Sequence, residues 1–176
     1  MDTLVIQVHP LADCYNVALL GAVTDALQDA GVDSRTVRLC QDGTLGVDEL
    51  TEVDHIVAVY PTWWGGLPSP LLDWFQKAVG PLVDGSSSSR DSPLRSVRRL
   101  SVVTSHGSSR LMNWAQGRSG YQTWTRVLLP LCAPDAEFDW ISLYKIDRTT
   151  EAQRRRFIQQ VGWSITTASA SVRSTA

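Results

Sequence analysis

Tyr60-Pro61-Thr62-Trp63-Trp64-Gly65-Gly66-Leu67-Pro68 follows directly on the apolar run Ile56-Val57-Ala58-Val59-Tyr60. The run is rich in β-branched residues and reads as a buried strand. Pro61 removes a backbone donor and stops the ladder. Two adjacent tryptophans then stand where an ordinary turn is polar. Gly65 and Gly66 let the backbone pass close to another group, and Pro68 suits the first turn of a following helix. Large aromatics at the carboxyl end of a parallel strand suggest a platform for a flat ligand. Indoles that fill a core or a dimer interface are the equal alternative, and the rest of the chain has to decide.

Strand and helix patterns alternate outward from this point. Residues 4–8 predict a first buried strand. A helix follows from Asn16 as N-cap, with Leu20, Val23, Leu27 and Ala30 at helical spacing and Gly31 ending it. Residues 34–39 alternate as a second strand, and 48–53 form a short, weak helix. The third strand ends at Tyr60. A helix over 68–79 carries Leu71, Leu72, Phe75 and Val79 on one stripe and closes at Gly80-Pro81. Residues 84–92, with Gly-Ser-Ser-Ser-Ser in their middle, read as a flexible surface insertion. Strands over 100–104 and 138–144 and helices over 122–131 and 149–165 complete the pattern. One domain over 1–165 and a frayed polar tail over 166–176 are expected.

Alternating βα units with near-continuous apolar strands imply an α/β fold: a doubly wound, five-stranded parallel sheet with helices on both faces. Ligands of such sheets bind beyond the carboxyl ends of the strands. Three segments occupy that position: His9 to Asn16, Tyr60 to Gly66, and Thr104-Ser105-His106-Gly107-Ser108. With strand order 2-1-3-4-5 they converge on one crevice.

The chain has 176 residues, with 16 Lys and Arg against 18 Asp and Glu, and no basic block. That balance argues against nucleic acid or an anionic membrane as partner. No stretch is long enough to span a bilayer, and the N-terminus lacks the order of a signal peptide. Cys14, Cys40 and Cys132 are odd in number and far apart. They suggest neither a disulfide framework nor a metal site and fit a reducing cytoplasm.

The chemistry of the three segments is consistent with a flavin. The first leads into a helix N-terminus, which favours a phosphate. It is neither G-x-G-x-x-G nor a Walker loop. Residues 61–64 offer indole faces to a tricyclic ring, and 104–107 offer backbone N–H groups to its pyrimidine edge, where donors stabilise developing negative charge.

The succession H-P-x-x-D-x-Y-N, Y-P-T-W-W-G-G-L-P-x-x-L-x-x-W-F and T-S-H-G resembles the flavodoxin-like NAD(P)H:quinone oxidoreductases, dimeric flavin enzymes also known as modulators of drug activity. The resemblance spans about Val5 to Trp163. It implies that His9, Cys14 (commonly serine in the family), Tyr15 and Asn16 hold the flavin phosphate and ribityl region. It places Pro61, Thr62, Trp63 and Trp64 along the isoalloxazine, and Thr104, Ser105, His106 and Gly107 at its pyrimidine edge. The short C-terminus lacks the extension with which larger members hold an adenine half, so FMN is favoured over FAD.

This chain departs from the family in two places. His106-Gly107 replaces a pair of glycines, and the segment from Met112 to Gly120 lacks the tyrosine and histidine that serve charge relay and substrate binding. Asn113 and Ser119 fall nearest those places. His106 and Asn113 are therefore the catalytic candidates, with Arg118 as another source of charge. Elsewhere the plainer readings hold: His55 structural, Trp74 and Phe75 packing, and Arg154 to Arg156 a solvated helix face.

The resulting expectation is a cytoplasmic, homodimeric, FMN-dependent enzyme. It passes a hydride from NAD(P)H to a quinone or similar small acceptor by a ping-pong cycle. An electron carrier of the flavodoxin kind and a regulatory subunit on the same fold are the alternatives.

Overall fold

The computed structural model describes residues 2–11, 13–42, 50, 52–83 and 92–174. Five parallel strands, β1 (Asp2–Gln7), β2 (Asp33–Arg38), β3 (His55–Pro61), β4 (Arg99–His106) and β5 (Glu137–Tyr144), form one sheet in the order β2-β1-β3-β4-β5. The expected α/β class and strand order are both present. Among the described residues five α-helices accompany them: α1 (Tyr15–Asp29), α2 (Ser69–Val83), α3 (Arg110–Ala115), α4 (Ser119–Gln122) and α5 (Glu151–Ser174). Among the described residues no helix is long and apolar enough to cross a membrane.

Alternation along each strand divides the core between the two faces of the sheet. Val5, Val57, Val59, Val103 and Ile141 pack against Leu19, Val23 and Leu27 of α1 and Phe157, Val161 and Ile165 of α5. On the other face, Leu4, Ile6, Ile56, Ala58, Tyr60 and Val102 meet Leu71, Trp74, Phe75 and Val79 of α2, together with Trp124 and Leu128. Trp74, Phe75 and Trp124 are thus core aromatics, and the Trp124 indole N–H donates to the buried Tyr60 hydroxyl at 2.8 Å.

Several boundaries differ from the sequence reading. Cys14, not Asn16, is the N-cap of α1, and Asn16 is buried in the first turn with its Oδ1 accepting from Gln7 Nε2 at 3.1 Å. Helix α2 runs past Gly80 to Val83, because Leu82 extends the apolar stripe onto the core. The 122–131 helix is broken into α4, a π-helical turn over Thr123–Leu128 and a 3-10 turn over Leu129–Leu131. The wider π turn places both Trp124 and Leu128 in the core, and Pro130 opens the tighter one.

The tail expected from residue 166 is helical as far as Ser174. Ala168, Ser169 and Val172 are buried, so this small-residue stretch packs rather than frays. Half of the expected 48–53 helix (48, 49 and 51) and all of the 84–92 insertion but Ser92 lie outside the described residues.

A polar network crosses the amino end of the sheet. His55 Nε2 lies 2.9 Å from Ser101 Oγ, which donates to Asp139 Oδ2 at 2.8 Å. Arg99 holds both Asp139 oxygens, at 2.7 and 2.9 Å, and also pairs with Glu137. His55 has no solvent exposure, and its Nδ1 has no partner. Burial, aided by the nearby Arg99 charge, pushes its pKa down to about 3, so it is a neutral structural residue.

Candidate functional site

At the carboxyl end of the sheet, strands β3 and β4 feed two neighbouring loops. The first is a tight turn over residues 63–66: Gly66 N–H donates to the Trp63 carbonyl at 2.9 Å, and Trp63 N–H to the Gly66 carbonyl at 3.2 Å. Its central residues have φ of +52° (Trp64) and +78° (Gly65), the pairing of a type I′ turn. Glycine adopts such a φ freely, but a tryptophan there is strained. The turn lifts the Trp64 indole wholly into solvent and leaves Trp63 exposed as well, so neither fills the core. Ser119 Oγ anchors the turn by donating to the Gly65 carbonyl at 3.1 Å.

Between this turn and the end of β4 lies a cleft of about 280 Å³, lined by Thr62, Trp64, Gly65, Gly107, Ser108 and Gln116. Its walls are close-fitting. A Cβ on Gly65 would stand 3.2 Å from Gln116 Oε1, and one on Gly107 would stand 3.3 Å from Asp147 Oδ2. Thr62 is pinned by three contacts: its N–H and Oγ1 both reach the Ser105 carbonyl, at 2.9 and 3.2 Å, and Oγ1 lies 3.0 Å from His106 Nδ1.

The expected 104–107 loop is largely strand. Thr104, Ser105 and His106 pair with Ser142, Leu143 and Tyr144 of β5, and all three are buried. Only Gly107 and Ser108 lie beyond β4 to line the cleft. The ladder carries two residues further than the apolar run because Pro61 and Tyr144 give Ser105 and His106 strand neighbours.

His106 is absent from the cleft wall. Its ring stacks on Tyr144, with centroids 4.4 Å apart and planes 7° apart, and its Nε2 is buried without a partner. Burial pushes its pKa down to about 4, so it is neutral near pH 7. Asn113, buried on α3, brings Nδ2 to 3.5 Å from His106 Nδ1. The two catalytic candidates are therefore brought together, but behind Thr62 rather than in the open. Arg118 lies over the Tyr121 ring at 4.0 Å, away from the cleft.

The first segment caps β1 and leads into α1, where Val17 N–H already donates to the Cys14 carbonyl at 3.0 Å and the N–H groups of Tyr15 and Asn16 are left without an intrahelical acceptor. His9 Nδ1 accepts from the Leu11 N–H at 3.1 Å and lies 3.3 Å from Cys14 Sγ. An imidazole nitrogen that accepts carries no proton, which puts the proton of neutral His9 on Nε2. Asn16 turns inward onto Gln7. The Tyr15 hydroxyl donates to the Arg154 carbonyl of α5 at 3.0 Å, and burial pushes this phenol up to about 12. From this segment Tyr15 and Asn16 can thus offer backbone, while their side chains serve packing.

Ser108 belongs to the segment expected at the crevice, whereas Gln116 and Tyr144 were not expected to take part. Gln116 carries no motif and follows directly on α3, a helix that the sequence pattern does not reveal. Its one signal was Ser109, a side-chain N-cap whose Oγ accepts from Met112 N–H at 3.1 Å. Tyr144 reaches His106 through the β4–β5 register, which a single sequence does not disclose.

The family described by its flavodoxin-like fold matches residues 1–132, well over half of the chain. The chain belongs to that family. Among solved structures, this flavodoxin-like chain is similar to Smu.1420 from Streptococcus mutans UA159, with 17% identity, a TM-score of 0.79, and 95% of this chain and 100% of that one covered. A second is the NAD(P)H:quinone oxidoreductase from Methanothermobacter marburgensis, with 14% identity, a TM-score of 0.69, and 96% and 97% covered. A third is an FMN-dependent NADH-azoreductase from Bacillus anthracis str. Ames Ancestor in complex with FMN, with 13% identity, a TM-score of 0.69, and 95% and 98% covered. At these identities the likeness establishes the fold. No curated protein matches the chain.

Proposed function

We propose that this chain is an FMN-dependent oxidoreductase that takes a hydride from NAD(P)H and passes it to a quinone or a similar small acceptor. One observation carries the reading: a narrow cleft between the strained, exposed Trp63-Trp64 turn and Gly107-Ser108, at the carboxyl ends of adjacent central strands. Structural relatives named as quinone reductase and FMN-dependent azoreductase support it by fold.

The residues present fit the cofactor. Two glycines line the cleft where a methyl group would crowd it, and the α1 N-terminus offers the N–H groups of Tyr15 and Asn16 for a phosphate. Bound FMN would supply the two-electron chemistry that the protein's side chains lack. The first-turn backbone of α1 and His9 would hold its phosphate, Trp63 and Trp64 would lie along its ring, and Gly107 and Ser108 would approach its pyrimidine edge.

His106, neutral and buried, supplies no positive charge. It is a positioning residue: with Asn113 it fixes the Thr62 hydroxyl at the cleft wall. Negative charge developing on a bound ring would be met by backbone and hydroxyl dipoles instead. The exposed tryptophan turn also suits a homodimer that shields the cleft from water. Three free thiols are in keeping with a cytoplasmic setting.

The test is the visible spectrum of purified protein reconstituted with FMN, followed by anaerobic addition of NADH and NADPH. Bleaching by either nucleotide and recovery on adding a quinone is the expected result. Failure to bind FMN or FAD refutes the reading. Flavin binding without reduction by either nucleotide moves the assignment to an electron carrier.

A further inference from the structure

A groove of about 950 Å³ runs along the open edge of β5, separate from the cleft beside the 63–66 turn. Helix α3 is the partition: Gln116, just beyond its end, faces the cleft, whereas Trp114 and Arg118 face the groove. Phe138, Trp140 and Tyr144 project from β5 into it, and α5 forms its far side with the uncharged Gln160 and Ser164.

Aromatic surface and unpaired positive charge coincide here. Tyr121 stands edge-on to Phe138 and Trp140, with centroids 5.6 and 5.5 Å away, and the Arg118 guanidinium lies over its ring. Trp114 remains exposed although it borders a groove already rich in aromatics. Neither Arg110 nor Arg118 has a carboxylate partner among the described residues. Asp139, the one acid on the lining, is held by Arg99 and Ser101 and is not available to them. A site of this kind leaves two cationic forks beside flat apolar walls. Planar π-faces match the aromatics, and an anionic substituent matches the guanidinium donors.

We propose that the β5-edge groove is a second binding site, for a planar aromatic carboxylate or sulfonate. The aromatic part lies among Trp114, Phe138, Trp140 and Tyr144, and the anionic group meets Arg110 and Arg118. The volume suits a ligand of two or three fused rings. The site is independent of the flavin assignment, since no residue of the cleft lines it.

The probe is naphthalene-2-sulfonate, with uncharged 2-naphthol as control. Each is titrated into the purified full-length chain while the indole N–H resonances are followed by NMR, with Trp-to-Phe variants assigning the signals. Saturable binding that moves the Trp114 and Trp140 signals is expected, with 2-naphthol at least about tenfold weaker. Arg110→Gln and Arg118→Gln should each weaken the sulfonate by about tenfold and leave 2-naphthol unchanged. Arg110 is exposed, so its variant stands as a test even if Arg118→Gln disturbs packing on Tyr121. Equal affinity for the two probes, absence of saturation, or shifts at Trp63 and Trp64 in place of Trp114 and Trp140 would overturn the proposal.

Discussion

Acidification is the perturbation whose effect can be worked out most fully from the structure. The chain has three histidines, and two of them, His55 and His106, are buried and neutral. Their ordinary pKa of 6.5 falls on folding to about 3 and about 4. A depressed histidine pKa means that the unfolded chain binds protons which the folded chain refuses. Stability is therefore complete above pH 6.5 and declines as the pH falls toward 4 and then 3.

At pH 5 the unfolded forms of both residues are almost fully protonated and the folded forms scarcely so. Each then withdraws about 2 kcal/mol, a combined loss on the order of 4 kcal/mol from a typical domain stability of roughly 5–15 kcal/mol. Between pH 5 and 7 Asp139 contributes little, because its lowered pKa places its own loss below this window. For Asp139, burial alone would raise the pKa, and the Arg99 and Ser101 hydrogen bonds outweigh it. Urea unfolding at pH 7.5 and pH 5 measures the difference directly. His55→Gln, read as a change of slope rather than of absolute stability, should remove about half of the pH dependence. Equal unfolding free energies at the two pH values would refute the buried, neutral state of both histidines.

Trp64→Gly should relieve the left-handed strain of the 63–66 turn and raise stability by up to about 1 kcal/mol in urea unfolding. The same change should weaken FMN in a fluorescence titration, which separates a ligand-facing role for Trp64 from a folding one. Tyr60→Phe removes the acceptor of the buried Trp124 indole N–H and should destabilise by about 1–3 kcal/mol, read as a shift of the urea midpoint at constant slope. A shift smaller than a few tenths of a kcal/mol would mean that the indole finds another acceptor.

The apolar run over 56–60 and its counterparts over 4–8 and 100–104 carried the fold. Period-two burial on both faces admits few alternatives to a parallel sheet between two layers of helices, so the class was readable from pattern, whereas the strand order entered as a condition in keeping with the family resemblance. The cleft sits between two of the three loops expected at the carboxyl strand ends, 60–66 and 104–108, while no residue of the third, 9–16, lines it. Trp63-Trp64-Gly65-Gly66 announced a turn and an aromatic platform, but left open whether the indoles point into the core or away from it. That depended on φ at Trp64, a local strain maintained by the Ser119 contact from 54 residues away.

The role of His106 was equally hidden. Its identity suggested a charge, yet burial between Tyr144, Thr62 and Asn113 removes that charge, and three separate elements supply those neighbours. Helix α3, too short to show a periodic stripe, escaped detection, and with it the partition between cleft and groove. Residues 166–174 looked polar and frayed because small residues say nothing about what they pack against. Local pattern is written in neighbouring residues and determines elements and topology. Charge state, side-chain direction and the walls of a site depend on contacts between residues distant in the chain, and only the tertiary structure decides those.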